Sequence, residues 1–178
     1  MTYRSAWRIF AVVLTADATI RQGLRPGDIG AVTRMHGLLY QHEHGLDHRI
    51  EASVAEGMVR YADAMHAGSG AALWVAEREG EVVGAIGMTD DGDGVARLRW
   101  FIVAPDARRT GIGTRLLDGA VGWARERDLR RVVLFTIGVL VDAARLYRRA
   151  GFRKVSERVG TEWSETLVEE RWELHLRG

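Results

Sequence analysis

Six consecutive residues, Arg108, Arg109, Thr110, Gly111, Ile112 and Gly113, have the types and spacing to hold a doubly charged phosphate group. They lie between an apolar run ending near Ala104 and a helical pattern beginning near Gly111. The N–H groups of a helix's first turn point outward together and carry about half a positive charge, so they bind phosphate oxygens. Glycines there remove the Cβ atoms that would hold a ligand away, and the two arginines add mobile positive charge. Together they fit a pyrophosphate. A nucleoside-triphosphate loop requires Lys and then Ser or Thr after its second glycine, whereas Gly113 is followed by Thr114 and Arg115. A dinucleotide fold wants a third glycine where Leu116 stands, and an acid ending the next strand, where Phe135 and Thr136 stand. The plainer reading is glycines that allow close strand-to-helix packing beside solvated arginines.

A second polar group, His42, Glu43, His44 and His48, has metal-ligating types. Histidines at alternate positions near a helix end point apart, so no metal is expected and a solvated or substrate-lining role is read instead. Cysteine is absent, which excludes disulfides, thiolate metal sites and cysteine nucleophiles.

The elements that must position these residues follow from periodicity. Thr19 to Leu24 reads as a first strand, and Asp28 as the cap of a helix carrying Ile29, Val32, Met35, Leu38 and Leu39, which ends near His44 and Gly45. Asp47 is placed to cap a second helix with the stripe Ile50, Val54, Met58, Tyr61 and Met65. Leu73 to Glu77 and Val82 to Met88 flank Glu79 and Gly80 as a hairpin, and Val95 to Val103 is a longer strand. After the glycine turn come a helix carrying Ile112, Leu116, Leu117, Ala120, Val121 and Ala124, then the strand Val132 to Thr136. A short helix from Asp142 to Ala150, with Asp142 as its cap, closes at Gly151; Phe152 to Val159 and Leu167 to Leu176 form a last antiparallel pair.

The stretch VAPDARRTGIGTRLL resembles the acetyl-CoA signature of the GNAT N-acetyltransferases, with Arg108, Gly111 and Gly113 at the matching positions. AARLYRRAGF, Ala143 to Phe152, is similar to the family's later helix. The chain from Thr19 to Leu176 also resembles the acetyltransferase half of bacterial MarR-type regulator/GNAT fusions, including GLLYQHEHGLD and LVEERWELHL, without their DNA-binding domain. The resemblance implies an α/β GNAT fold: a mixed, twisted seven-stranded sheet flanked by about four helices, with Val95 to Val103 and Val132 to Thr136 splaying apart. It implies acetyl-CoA as co-substrate. Backbone groups of Phe101, Ile102 and Val103 would pair with the pantetheine arm, and N–H groups from Arg109 to Thr114 would take the pyrophosphate.

It further implies direct transfer of the acetyl group to a primary amine, of a small molecule or an amino terminus, in a ternary complex. The alternative is a catalytically weak acyl-CoA-binding sensor or interaction module. Tyr147 is assigned as the acid for the departing thiolate; a phenol near pKa ~10 and a thiol near ~8.5 are read as needing little tuning. The carboxylate that some members carry on the fourth strand is replaced here by Arg97 and Arg99 around Leu98, so Glu43, expected in the junction between the first two helices, is assigned as the base. Trp100 and Trp163 are placed to wall an acceptor pocket or simply to pack.

The bulk properties agree. A chain of 178 residues suits one domain, here residues 19–178 after an N-terminal extension, 1–18. A net charge of +1 with 28% charged residues implies no nucleic-acid partner. Arg4 and Arg8 before the run Ile9 to Leu14 sketch a signal peptide, but the run is far shorter than the ~20 residues of a membrane span, so a cytoplasmic protein is expected. Exposed strand edges allow a homodimer.

Overall fold

The computed structural model describes residues 17–66, 70–161 and 163–176. Of the expected N-terminal extension, therefore, only Asp17 and Ala18 are described. Seven strands form one sheet in the order β1-β2-β3-β4-β5-β7-β6. The strands are β1 (Thr19–Gln22), β2 (Ala71–Arg78), β3 (Glu81–Asp90), β4 (Val95–Val103), β5 (Arg131–Ile137), β6 (Arg153–Thr161) and β7 (Ser164–His175). Among the described residues four α-helices accompany them: α1 (Asp28–His44), α2 (His48–His66), α3 (Ile112–Glu126) and α4 (Val141–Arg149). The expected mixed seven-stranded sheet with four helices is what the chain forms. Among the described residues no helix is long and apolar enough to cross a membrane.

The period-2 alternation of the strands feeds two cores, one on each face. Trp74 and Ala76 of β2 point to the side of α3, where Leu116, Leu117, Ala120, Val121 and Trp123 are buried. Leu73 and Val75 point to the side of α2, whose stripe Ile50, Val54, Met58 and Tyr61 is buried as its helical spacing requires. Each such aliphatic side chain contributes about 1.5–3 kcal/mol on leaving water. Glu79 and Gly80 turn the β2–β3 hairpin with φ of 54° and 84°, the left-handed pair that matches strand twist.

Two expected caps differ. Gly27 takes the cap position of α1, while Asp28 enters the first turn and its carboxylate receives Arg21 Nη1 and Nη2 at 3.1 and 2.6 Å and the Arg25 N–H at 2.6 Å. A buried carboxylate is better served by a guanidinium than by one helix amide. Likewise Leu140, not Asp142, caps α4, and Asp142 pairs in solvent with Arg145 at 3.0 Å. Asp47 does cap α2, accepting the Arg49 N–H at 2.9 Å.

The middle of the sheet positions the site. All neighbouring strands run antiparallel except β4 and β5, which are parallel and pair only at Val95–Arg131, Ala96–Val132 and Arg97–Val133. Beyond Arg97, β4 stays with β3 as far as Val103, whereas β5 stays with β7 as far as Ile137. The sheet therefore opens between them. A bulge lies at the same level: Ala85 faces Ile102 and Gly87 faces Arg99, so Ile86 alone opposes Trp100 and Phe101. Trp100 takes a φ of 50°, and such an extra residue bends its strand.

Candidate active site

The opening between β4 and β5 leads into a cleft of about 480 Å³. Its walls come from α1 (His36, Tyr40), α2 (Ile50, Ser53, Val54, Glu56, Gly57, Arg60), β4 (Arg97 to Phe101), β5 (Phe135 to Ile137) and α4 with its approach (Leu140, Ala143, Tyr147). Arg158, Trp163 and Glu169 close the rim.

The bulge decides which side chains β4 offers. Leu98 and Phe101 pack on the α3 side, Trp100 and Ile102 on the α1/α2 side. Strict alternation would send Arg99 and Trp100 to opposite faces; the extra residue brings both to the cleft side. Trp100 is held there by two glycines. A Cβ on Gly87 would lie 2.5 Å from its Cε3, and one on Gly57 would lie 3.2 Å from its Cζ2. Tyr61 meets the indole edge-on at 5.3 Å. Trp100 thus packs and lines the cleft at once, and Trp163 lines it as well.

The glycine turn follows β4 through a single 3-10 turn, Pro105–Ala107. Arg109 and Gly111 both adopt left-handed conformations, with φ of 62° and 89°. Residues of this kind between ordinary ones curl the backbone so that successive N–H groups converge. The first helical bond of α3 runs from the Arg115 N–H to Gly111 O at 3.0 Å, so the N–H groups of Ile112, Gly113 and Thr114 have no intrahelical acceptor. No side chain caps them and no acidic residue sits in the first turn. A Cβ built on Gly111 would have no atom within 4 Å, so the space before these amides is open. Gly113 lies under Leu146 and Phe101, with its hypothetical Cβ 3.4 and 3.6 Å from them, which brings the turn, β4 and α4 together. Thr110 Oγ1 donates to Ala107 O at 2.8 Å and braces the turn, Ile112 is buried in the core, and Thr114 is exposed.

The two arginines part company. Arg109 is exposed, with no ion pair or side-chain hydrogen bond among the described residues. Arg108, expected to be mobile, is fixed: its Nε donates to Val103 O at 3.0 Å, and Nη1 and Nη2 donate to the two carboxylate oxygens of Glu43 at 3.1 and 2.7 Å. A planar guanidinium matches a carboxylate in this two-pronged way. Glu43 accordingly lies in the last turn of α1, not in the junction after it, and it is absent from the cleft wall. With both oxygens engaged by Arg108, Glu43 ties the end of α1 to the turn. Val103 O is likewise engaged in part, while Phe101 and Ile102 complete the stretch of β4 that has left β5.

Tyr147 is 4% exposed, ringed by Phe101, Phe152 and Trp172 at centroid distances of 6.0, 5.8 and 6.2 Å, and it still lines the cleft. Burial first, and then the neighbouring Tyr40, push its pKa well above that of an ordinary phenol. The expectation that it needs little tuning is therefore reversed. A phenol weaker than the thiol it serves gives up its proton uphill, and burial widens that gap.

Among the wall residues that sequence reasoning missed are His36 and Tyr40. His36 is 4% exposed, its Nδ1 at 2.9 Å from Val32 O, and burial lowers its pKa to about 4, so the ring is neutral. Tyr40, with its ring 5.7 Å from that of His36, is raised to about 12 by burial and then by Glu43, against the lowering effect of Arg108. Both follow the expected apolar positions of α1 by one, Met35 and Leu39; a stripe one residue wider would have included them.

Residues 39–152 match the model of the Acetyltransferase (GNAT) family. A probable N-acetyltransferase, camello, of Xenopus tropicalis is 35% identical over 118 residues, covering 65% of this chain and 52% of that protein. The chain spans about half the length of the curated relatives it matches, its Xenopus laevis counterpart included. Among solved structures, a GNAT-family acetyltransferase of Staphylococcus aureus Mu50 superposes with a TM-score of 0.73 at 20% identity, covering 90% of this chain and all of that one. The yncA acetyltransferase of Salmonella typhimurium, solved with its cofactor acetyl-CoA, gives a TM-score of 0.67 at 21% identity over 90% and 94% of the two chains.

Proposed function

This chain belongs to the GNAT acetyltransferase family, and on that premise we propose that it moves an acetyl group from acetyl-CoA to a primary amine, of a small molecule or an amino terminus, by direct attack in a ternary complex. The observation that carries the proposal is the parting of β4 from β5 after Arg97, next to an uncapped helix N-terminus that β4 itself leads into. An extended pantetheine arm takes the place of the missing strand neighbour along Phe101, Ile102 and Val103. The pyrophosphate sits on N–H groups from Arg109 to Thr114, where Gly111 leaves room, and Arg109 adds an unengaged cation. Arg108 acts one step back, tying the turn to β4 and α1.

Acetyl-CoA brings the thioester; the chain's residues handle position and protons. Tyr147 donates a hydrogen bond to the departing sulfur and keeps its own proton until charge develops there. With no carboxylate on β4 and Glu43 held by Arg108, amine deprotonation is assigned to water in the cleft. At pH 7 that costs about 4 to 5 kcal/mol for an amine of pKa near 10.4, and less for a more acidic one.

Thiol release from acetyl-CoA with a panel of primary amines, on wild type and Tyr147→Phe, tests the reading. Amine-dependent release that falls about tenfold or more in the variant is expected. Acetyl-CoA binding without amine-dependent release would identify a sensor or interaction module instead, the reading that the lack of a β4 carboxylate favours.

A further inference from the structure

Among the described residues the cleft holds one arginine without an ion-pair partner. Of its four arginines, Arg60 pairs with Glu56, Arg158 donates to Glu169 at 2.7 Å, and Arg97 pairs with Asp91 while lying over the Phe135 ring at 5.3 Å. Arg99 has no carboxylate within ion-pair distance and no side-chain hydrogen bond among the described residues. Asp91, the one carboxylate that acts on it electrostatically, is already committed to Arg97, and Arg97 and Arg60 both act on it as like charges. The bulge at Trp100 turns this half-buried guanidinium to the cleft side, beside the rings of Trp100 and Phe101 and the paired charges of the rim. His36, the other basic group there, is neutral.

A half-buried arginine that shares its one acting carboxylate, Asp91, with the ion-paired Arg97 is costly to the folded chain unless a ligand supplies a further anion. A simple alkylammonium would enter this cleft against that charge; an amine that also bears a carboxylate would neutralise it and be held by a two-pronged bond while its nitrogen faces the opening between β4 and β5. We infer that the acceptor is a carboxylate-bearing amine, and that Arg99 is the residue that selects it. The inference rests on the acetyl-transfer reading for its nitrogen, but the carboxylate site, argued from the placement and charge of Arg99, is independent of it. An α-amino acid and the terminal or acidic carboxylate of a peptide share this chemistry.

The test uses matched sets: leucine, phenylalanine and aspartate, their amides and decarboxylated amines, and dipeptides blocked or free at the C-terminus. Each is titrated calorimetrically into the CoA-loaded protein and assayed for thiol release. The free acids should bind about ten- to a hundredfold more tightly than the amides, chiefly through KM in the turnover arm. Arg99→Gln should bring that ratio near one, and Arg99→Lys should keep part of it; equal melting transitions control for folding. Free amino acids and dipeptides separate the two carboxylate sources. Equal binding of acids and amides, no binding of any acid, or a preference that survives in Arg99→Gln overturns the inference. Thiol release without carboxylate preference sinks this inference and leaves acetyl transfer standing; carboxylate preference without thiol release does the reverse.

Discussion

Acidification from pH 7 to 4 should cost the protein about 3 kcal/mol of stability through His36 alone. The ring is 4% exposed, and burial is the main force that lowers its pKa to about 4; the Nδ1 contact with Val32 O acts in the opposite sense. In the unfolded chain the same imidazole titrates near 6.5. Between these values the unfolded chain binds a proton that the folded chain refuses, so stability rises with pH. The contribution is complete above about 6.5 and is lost as pH falls toward 4. At 1.36 kcal/mol per pH unit, about 2.5 units give about 3 kcal/mol. Tyr40, whose ring lies nearest, is raised to about 12 and does not change charge in this window. Urea unfolding at pH 7, 5.5 and 4.5, on wild type and His36→Gln, isolates the effect, because the surface carboxylates titrate alike in both proteins. The wild type should lose about 2.5 kcal/mol more than the variant between pH 7 and 4.5. Parallel stability curves, or an NMR titration placing this ring above pH 6, would refute the reasoning.

Gly87→Ala should lower stability by about 1–3 kcal/mol, because its Cβ would come within 2.5 Å of the Trp100 ring, and urea midpoints that do not move would show that the indole is loosely held. Gly111→Trp should abolish acetyl-CoA binding in calorimetry while far-UV circular dichroism stays unchanged; the side chain enters open space before the α3 amides, and its left-handed backbone, φ of 89°, adds about 1–2 kcal/mol of strain. Retained affinity would remove the phosphate assignment.

Elements whose cause is local were readable in the chain. Val95–Val103 has its sequence-derived bounds, Gly45 and Gly151 end their helices with φ of 70° and 94°, and Gly111 opens α3. What escaped was tertiary. The Arg108–Glu43 pair joins residues 65 apart, and nothing in either neighbourhood announces the other. Asp28 looked like a cap because its partner Arg21, seven residues back on β1, is reached only across the turn between strand and helix. The Trp100 bulge left one usable trace: Gly84 and Gly87 inside an otherwise apolar strand mark close approach by another group. That trace names the place without naming Trp100, and so without predicting that Arg99 would share its face. The phenol of Tyr147 was found by pattern, but its proton affinity depends on three rings contributed by β4, β6's approach and β7.

A seam only three residues long joins the two halves of the sheet. Load passing from β3 and β4 to β5 and β7 must cross it or travel through the flanking helices, so the halves can rock about Val95–Arg97 like covers about a short spine. A molecule lying along the free edge of β4 would lengthen that spine and stiffen the whole, and amide exchange along β4 and β5 should slow together when one binds.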